Sequence, residues 1–124
     1  MVTEATIRHS LETYCEAFTR GDRDAWTAHF ADDAWIEDPV GTPTRHGKAA
    51  IAQFFDETQS RYDSVALVLG KPIIVAGQEV AFRMQGHPVR DGHEYDVAII
   101  NVMSFDGDGN IATMRAFFDA SHRK

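Results

Sequence analysis

The chain changes its apolar period halfway along, and that change limits what it can fold into: helical spacing in the first half, strand alternation in the second. Ile7, Leu11, Tyr14 and Phe18 form the stripe of an amphipathic helix. Gly21 then terminates it, and Asp22 is a good N-cap for a second, short helix from about Arg23 to Phe30. An extended segment from Ala34 to Asp38 stops at Pro39, whose ring forces Asp38 out of helical geometry. Pro43 and Gly47 bracket a loop, and a third helix is predicted from Lys48 to about Arg61, with Ile51, Phe54, Phe55 and Thr58 on one side.

Segments near Ser64–Leu69, Ile73–Ala76, Glu79–Gly86, Glu94–Phe105 and Ile111–Phe118 are rich in β-branched and aromatic residues, as strands require. Ala76-Gly77, Asp91-Gly92 and the Asp106–Asn110 run are turn signals between several of them. Helices followed by a meander of strands imply an α+β fold with a mainly antiparallel sheet, not a doubly wound one. A sheet curled around three helices would leave a cone-shaped cavity at its open end.

With 124 residues there is material for one core, so residues 1–124 are expected to form a single domain. A net charge of −7 without any Lys/Arg run leaves no footprint for nucleic acid and disfavours an anionic membrane. The longest aliphatic run, Ile73-Ile74-Val75-Ala76, is too short to span a bilayer. The first ten residues lack the basic-then-apolar order of a signal peptide, and a lone cysteine, Cys15, permits no internal disulfide. A cytoplasmic protein is the expectation. Cys15 falls on the apolar helix face, where a buried small residue explains it better than a nucleophile.

Three polar side chains stand where the pattern expects apolar ones. Tyr14 lies in the apolar stripe of the first helix, either as a core ring with a satisfied hydroxyl or as a donor to a ligand. Asp38 is one of two adjacent carboxylates, Glu37 and Asp38, ahead of Pro39. Alternation turns one of them inward, where apolar surroundings tune a carboxyl toward general-base work; the alternative is an Asp that caps its own turn. Asn101 shares a strand face with Tyr95, Val97, Ile99, Met103 and Phe105, so its amide needs a backbone partner or a ligand. Asp96 points to the opposite face and reads as a solvated charge. The histidines (9, 29, 46, 87, 93 and 122) show no metal-binding spacing, so no metal site is expected. Dinucleotide, phosphate-loop and Gly-x-Ser-x-Gly motifs are also missing.

Taken together, Tyr14, Gly21-Asp22, Phe30-Ala31-Asp32-Asp33-Ala34, Glu37-Asp38-Pro39-Val40-Gly41, Gly47 with Ala49-Ala50-Ile51, and Met114-Arg115-Ala116 with Phe118 resemble the Δ5-3-ketosteroid isomerases of the NTF2-like or SnoaL-like superfamily. The likeness runs over nearly the whole chain. It implies a cone of curved sheet and a cofactor-independent shift of a β,γ double bond into conjugation with a ketone, on a steroid-like substrate. By the same resemblance, Asp38 is the proton shuttle and Tyr14 a donor to the dienolate oxygen. Asn101 stands where the family carries a protonated aspartic acid; its amide can donate without a raised pKa, though more weakly. Phe55 stands where the family often has a second tyrosine that supports the first. Phe18, Trp26, Phe54, Phe55, Val65, Val97, Met103 and Phe118 are the expected substrate walls. A homodimer through the outer sheet face is implied as well. Alternatives on the same scaffold are a polyketide cyclase and a non-catalytic module that binds small apolar ligands. The epoxide hydrolases of the superfamily fit less well, for want of an Asp-Arg-Asp arrangement.

Overall fold

Helix α1 (Glu4–Thr19) begins where the Thr3 hydroxyl accepts from the Thr6 N–H at 3.1 Å, and it buries Ile7, Leu11, Tyr14 and Phe18, the stripe read from the sequence. It ends at Gly21, whose φ of +70° suits a residue without a Cβ. Asp22 then caps α2, accepting from the Ala25 N–H at 3.1 Å. These contacts belong to a computed structural model that describes residues 2–118; His122 lies outside the described residues.

Helix α2 (Arg23–Thr27) stops before the predicted Phe30, because the sheet claims that residue. Ile111 donates its N–H to the His29 carbonyl at 2.8 Å, and Phe30 opens strand β1 (Phe30–Glu37) with its ring fully buried. The two-residue strand β2 (Arg45–His46) pairs with β1 inside the predicted loop. Helix α3 (Lys48–Arg61) has the predicted bounds.

The two predicted strands on either side of Gly70-Lys71-Pro72 are one, β3 (Ser64–Ala76). Strand β4 (Glu79–Arg90) pairs along it, and a register shift between Leu69 and Ile73 absorbs a proline that has no N–H to give. The predicted Glu94–Phe105 strand is interrupted instead. Its start is β5 (His93–Glu94), hairpinned to β4 through Asp91-Gly92, both with positive φ. The remainder is β6 (Val97–Phe105), followed by β7 (Ile111–Phe117).

The sheet runs β2-β1-β7-β6-β4-β3 with β5 on β4, antiparallel throughout except for β1 beside β7. It is an α+β fold with the helices on one face of a curved, open sheet. Thr19 ties α1 to β3, its hydroxyl accepting from Leu67 N–H at 2.9 Å and donating to Leu67 O at 3.3 Å. Among the described residues no helix is long and apolar enough to cross a membrane.

Candidate functional site

The open end of the cone holds a cavity of about 130 Å³ for the centre of a water molecule. Tyr14 and Phe18 line it from α1, and Phe54, Thr58 and Arg61 from α3, with Tyr62 beside them. The sheet contributes Val65 and Leu67, Met84, Gly86 and Pro88, Val97 and Ile99, and Ala116 with Phe118. Asp38 and Pro39 complete the wall from the turn after β1. Asp38 also borders a second chamber of about 250 Å³ with Thr42, Thr44, Arg45 and Arg61. Its half-buried carboxyl therefore stands between an apolar and a polar space.

That turn is firmly held. Val40 N–H donates to Ala116 O at 2.8 Å, and Thr42 Oγ1 to Pro39 O at 2.7 Å. Glu37, the neighbouring carboxylate, accepts from Gly41 N–H at 3.0 Å and Arg115 Nε at 2.9 Å. Those two bonds, the Gly41 one foremost, hold the Glu37 carboxyl below its ordinary range. Of the adjacent pair, Glu37 anchors the turn and Asp38 faces the cavity.

At the cavity floor the Tyr14 hydroxyl donates to Met114 Sδ at 3.2 Å, a soft acceptor. Burial pushes this phenol well above its usual pKa. The negative charge of Asp38 pushes the same way, and the Trp26 indole and Asn101 amide oppose it by offering N–H groups to the phenolate. Tyr14 and Asp38 thus share one cavity wall, and the Asn101 amide lies near the Tyr14 hydroxyl. Asn101 itself is fully buried behind the wall, on β6 between Phe82 and Ala116, and neither end of its amide has a hydrogen-bond partner among the described residues. An amide held in that state is costly, and a ligand's oxygen or a repositioned hydroxyl would relieve it.

The expected walls divide. Phe18, Phe54, Val65, Val97 and Phe118 line the cavity, whereas Trp26, Phe55 and Met103 sit in the core beneath it. Trp26 stacks against Tyr14, Phe18, Phe30 and Phe55, with ring centroids 4.8 to 5.6 Å apart. A period that marks apolar positions cannot tell a cavity wall from the core behind it. Arg61, Tyr62, Leu67 and Met84 also line the cavity, and Met114 holds the Tyr14 hydroxyl, beyond the walls expected from the sequence. Met84 and Leu67 sit on strand faces that alternation could have flagged; nothing in the sequence points Met114 at Tyr14.

Two other groups need placing. Burial pushes the Cys15 thiol up to about 12, so it stays neutral beside Met84 Sδ at 3.6 Å. Asp96 is not a lone solvated charge: its carboxylate meets His87 Nδ1 at 2.7 Å, with Glu94 at 3.7 Å. The ligand atoms of this trio lie within 4.8 Å of one another, but both carboxylates are mostly exposed, as in an ordinary surface ion pair.

Comparison with known proteins bears on the family and the fold. The family described as "SnoaL-like domain" matches residues 11–114. A steroid Δ-isomerase from Nocardioides simplex is 35% identical over 114 residues, which is 92% of this chain and 90% of that protein. Among solved structures, the epoxide hydrolase/cyclase-like enzyme SalBIII, studied for pyran ring formation in the polyether salinomycin, superposes with a TM-score of 0.88. That match covers 98% of this chain and 97% of the other at 24% identity, and at that level it speaks for the fold.

Proposed function

Since the chain belongs to the SnoaL-like family, within the NTF2-like superfamily, we propose that it is a cofactor-independent isomerase that moves a β,γ double bond into conjugation with a ketone. The observation that carries this reading is a carboxylate and a phenol on the wall of one apolar cavity, Asp38 and Tyr14, with the unpartnered Asn101 amide behind them. The apolar wall favours a flat, steroid-like ketone over a charged substrate.

The positions support the following chemistry. The Asp38 carboxylate takes the acidic proton from the carbon between the ketone and the double bond, C4 in a steroid. The electron pair left behind spreads into a dienolate, whose oxygen takes hydrogen bonds from Tyr14 and Asn101. Asp38, now protonated, returns the same proton to C6, and the double bond ends in conjugation. No water, metal or cofactor enters this balance. Because the donors meet charge only as it develops, they favour the dienolate over the starting ketone.

The exposed apolar side chains Val68, Ile74, Ile100 and Phe117 lie on the opposite face of the sheet, and they support a homodimer through that surface. Light scattering of the purified protein decides between dimer and monomer.

The reaction is tested with 5-androstene-3,17-dione, following the ultraviolet absorbance of the conjugated enone. Conversion by the native chain that is lost in Asp38→Asn is the expected result. An Asp38→Asn variant as fast as the native chain would refute the base. A native chain that binds the steroid and converts no ketone would point to the binding-module or cyclase alternative.

A further inference from the structure

Two fully buried side chains keep polar atoms without a hydrogen-bond partner among the described residues: Asn101, at both ends of its amide, and Trp26, at its indole N–H. The Trp26 ring lies 5.6 Å from that of Tyr14, and both the Trp26 and the Asn101 N–H groups are placed to stabilise the Tyr14 oxygen, while the hydroxyl's present acceptor is the weakly accepting Met114 sulfur. Trp26 has little freedom to turn away. Its ring is held by Phe18 at 5.5 Å, Phe30 at 4.8 Å and Phe55 at 5.3 Å, with Tyr14 itself at 5.6 Å and tilted by 48°. A rigid donor beside a rotatable hydroxyl is an arrangement prepared for one partner.

We infer that Trp26 is a positioning residue for Tyr14: its indole N–H donates to the Tyr14 oxygen when the Tyr14 hydroxyl turns from Met114 to a ligand's oxygen, leaving the Asn101 amide N–H for the ligand itself. The indole N–H and the Asn101 amide N–H then gain acceptors at once, and the phenol exchanges a sulfur acceptor for an oxygen. The donor chain Trp26 N–H to Tyr14 O–H to ligand polarises the phenol and makes it a stronger donor than an isolated tyrosine. The same N–H favours the tyrosine's anion against the burial and the Asp38 charge that oppose it. The neighbouring His29 ring, 6.3 Å away, is already engaged, with its Nδ1 at the Ala25 carbonyl and its Nε2 at the Thr13 hydroxyl. The inference rests on the proposed function only in placing an oxygen-bearing ligand against Tyr14.

The test uses the full chain with ¹⁵N-labelled indoles and 2-naphthol, a flat ring system with one oxygen, as the probe. Trp35, the only other tryptophan, is the internal reference. On adding 2-naphthol the Trp26 N–H resonance moves downfield, as a newly made hydrogen bond requires, and that of Trp35 stays. Because Trp26→Phe risks the core, the second variant replaces Trp26 by benzothienylalanine, which keeps the shape and removes the N–H. On 5-androstene-3,17-dione it lowers kcat by about tenfold and leaves KM within about twofold, as loss of a bond made chiefly in the transition state requires. A Trp26 resonance that does not move at saturating 2-naphthol overturns the inference, and so does failure of 2-naphthol to bind. Full kcat in the benzothienylalanine variant overturns it even while Asp38→Asn is inactive. Should the native chain convert no ketone, the resonance shift decides alone.

Discussion

The two ends of the cavity are built in opposite ways. Around Asp38 the hydrogen-bonding groups of the turn are paired: Glu37 takes two donors, Val40 reaches Ala116, and Thr42 closes on Pro39. Around Tyr14 the polar groups are buried more deeply and paired less: the phenol has only a sulfur, and Trp26 and Asn101 have no partner among the described residues. Each unpaired buried group costs about 1 to 3 kcal/mol. A fold optimised for stability alone would fill the floor with aliphatic side chains. The comparison teaches that a base needs a fixed position and an oxyanion site needs unspent donors, and that the chain provides the first by satisfying bonds and the second by withholding them.

The largest effect that would break this comparison is at the paired end. Asp38→Asn is expected to cut enone formation by about 10²-fold or more, the ordinary loss for a general base, with little change in melting temperature. Steady-state rates and thermal unfolding measured together check this. At the floor, Tyr14→Phe is expected to cost about 10²-fold in kcat with a smaller effect on KM, since the donor it removes acts mainly on the developing oxyanion. Asn101→Asp sharpens the contrast: a protonated acid there keeps or raises turnover, and it adds a pH dependence that the native amide lacks.

The smallest effect is at the anchor of the turn. Glu37→Gln keeps the shape and weakens both of the carboxylate's bonds. Because those bonds hold the native-state pKa of Glu37 below the 4.5 of an unperturbed glutamate, its contribution to stability is present above that value. It fades as pH falls through the lower, folded-state value. The stability gap between the native chain and Glu37→Gln should therefore be widest near neutrality and close in acid, which melting temperatures across pH will show.

Much of this layout is legible in the sequence because it rests on local rules. The Tyr14 stripe, the Asp22 cap, the third helix and the alternation that puts Asn101 on the inward face of β6 are each set by spacing or by one capping side chain. Pro39 and the paired carboxylates point to the Asp38 turn for the same reason. What is not legible depends on partners far away in the chain. Phe30 leaves its helix because Ile111 pairs with it, and Ser64–Ala76 is one strand because β4 runs beside it past Pro72. Whether Trp26, Phe55 and Met103 line a cavity or sit behind it depends on depth, which periodicity does not encode. The meeting of Met114 with Tyr14 joins residues 100 positions apart.

The measurement that bears most directly on the withheld donors is Asn101→Leu, with melting temperature and enone turnover taken on the same preparation. Leucine has nearly the shape of asparagine and no polar atoms, so it removes two buried unpaired groups. Asn101→Leu is expected to be more stable by about 1 to 3 kcal/mol and slower by about tenfold or more. A variant that is less stable and turns over at the native rate would contradict that expectation, because the amide would then be a structural member of the sheet.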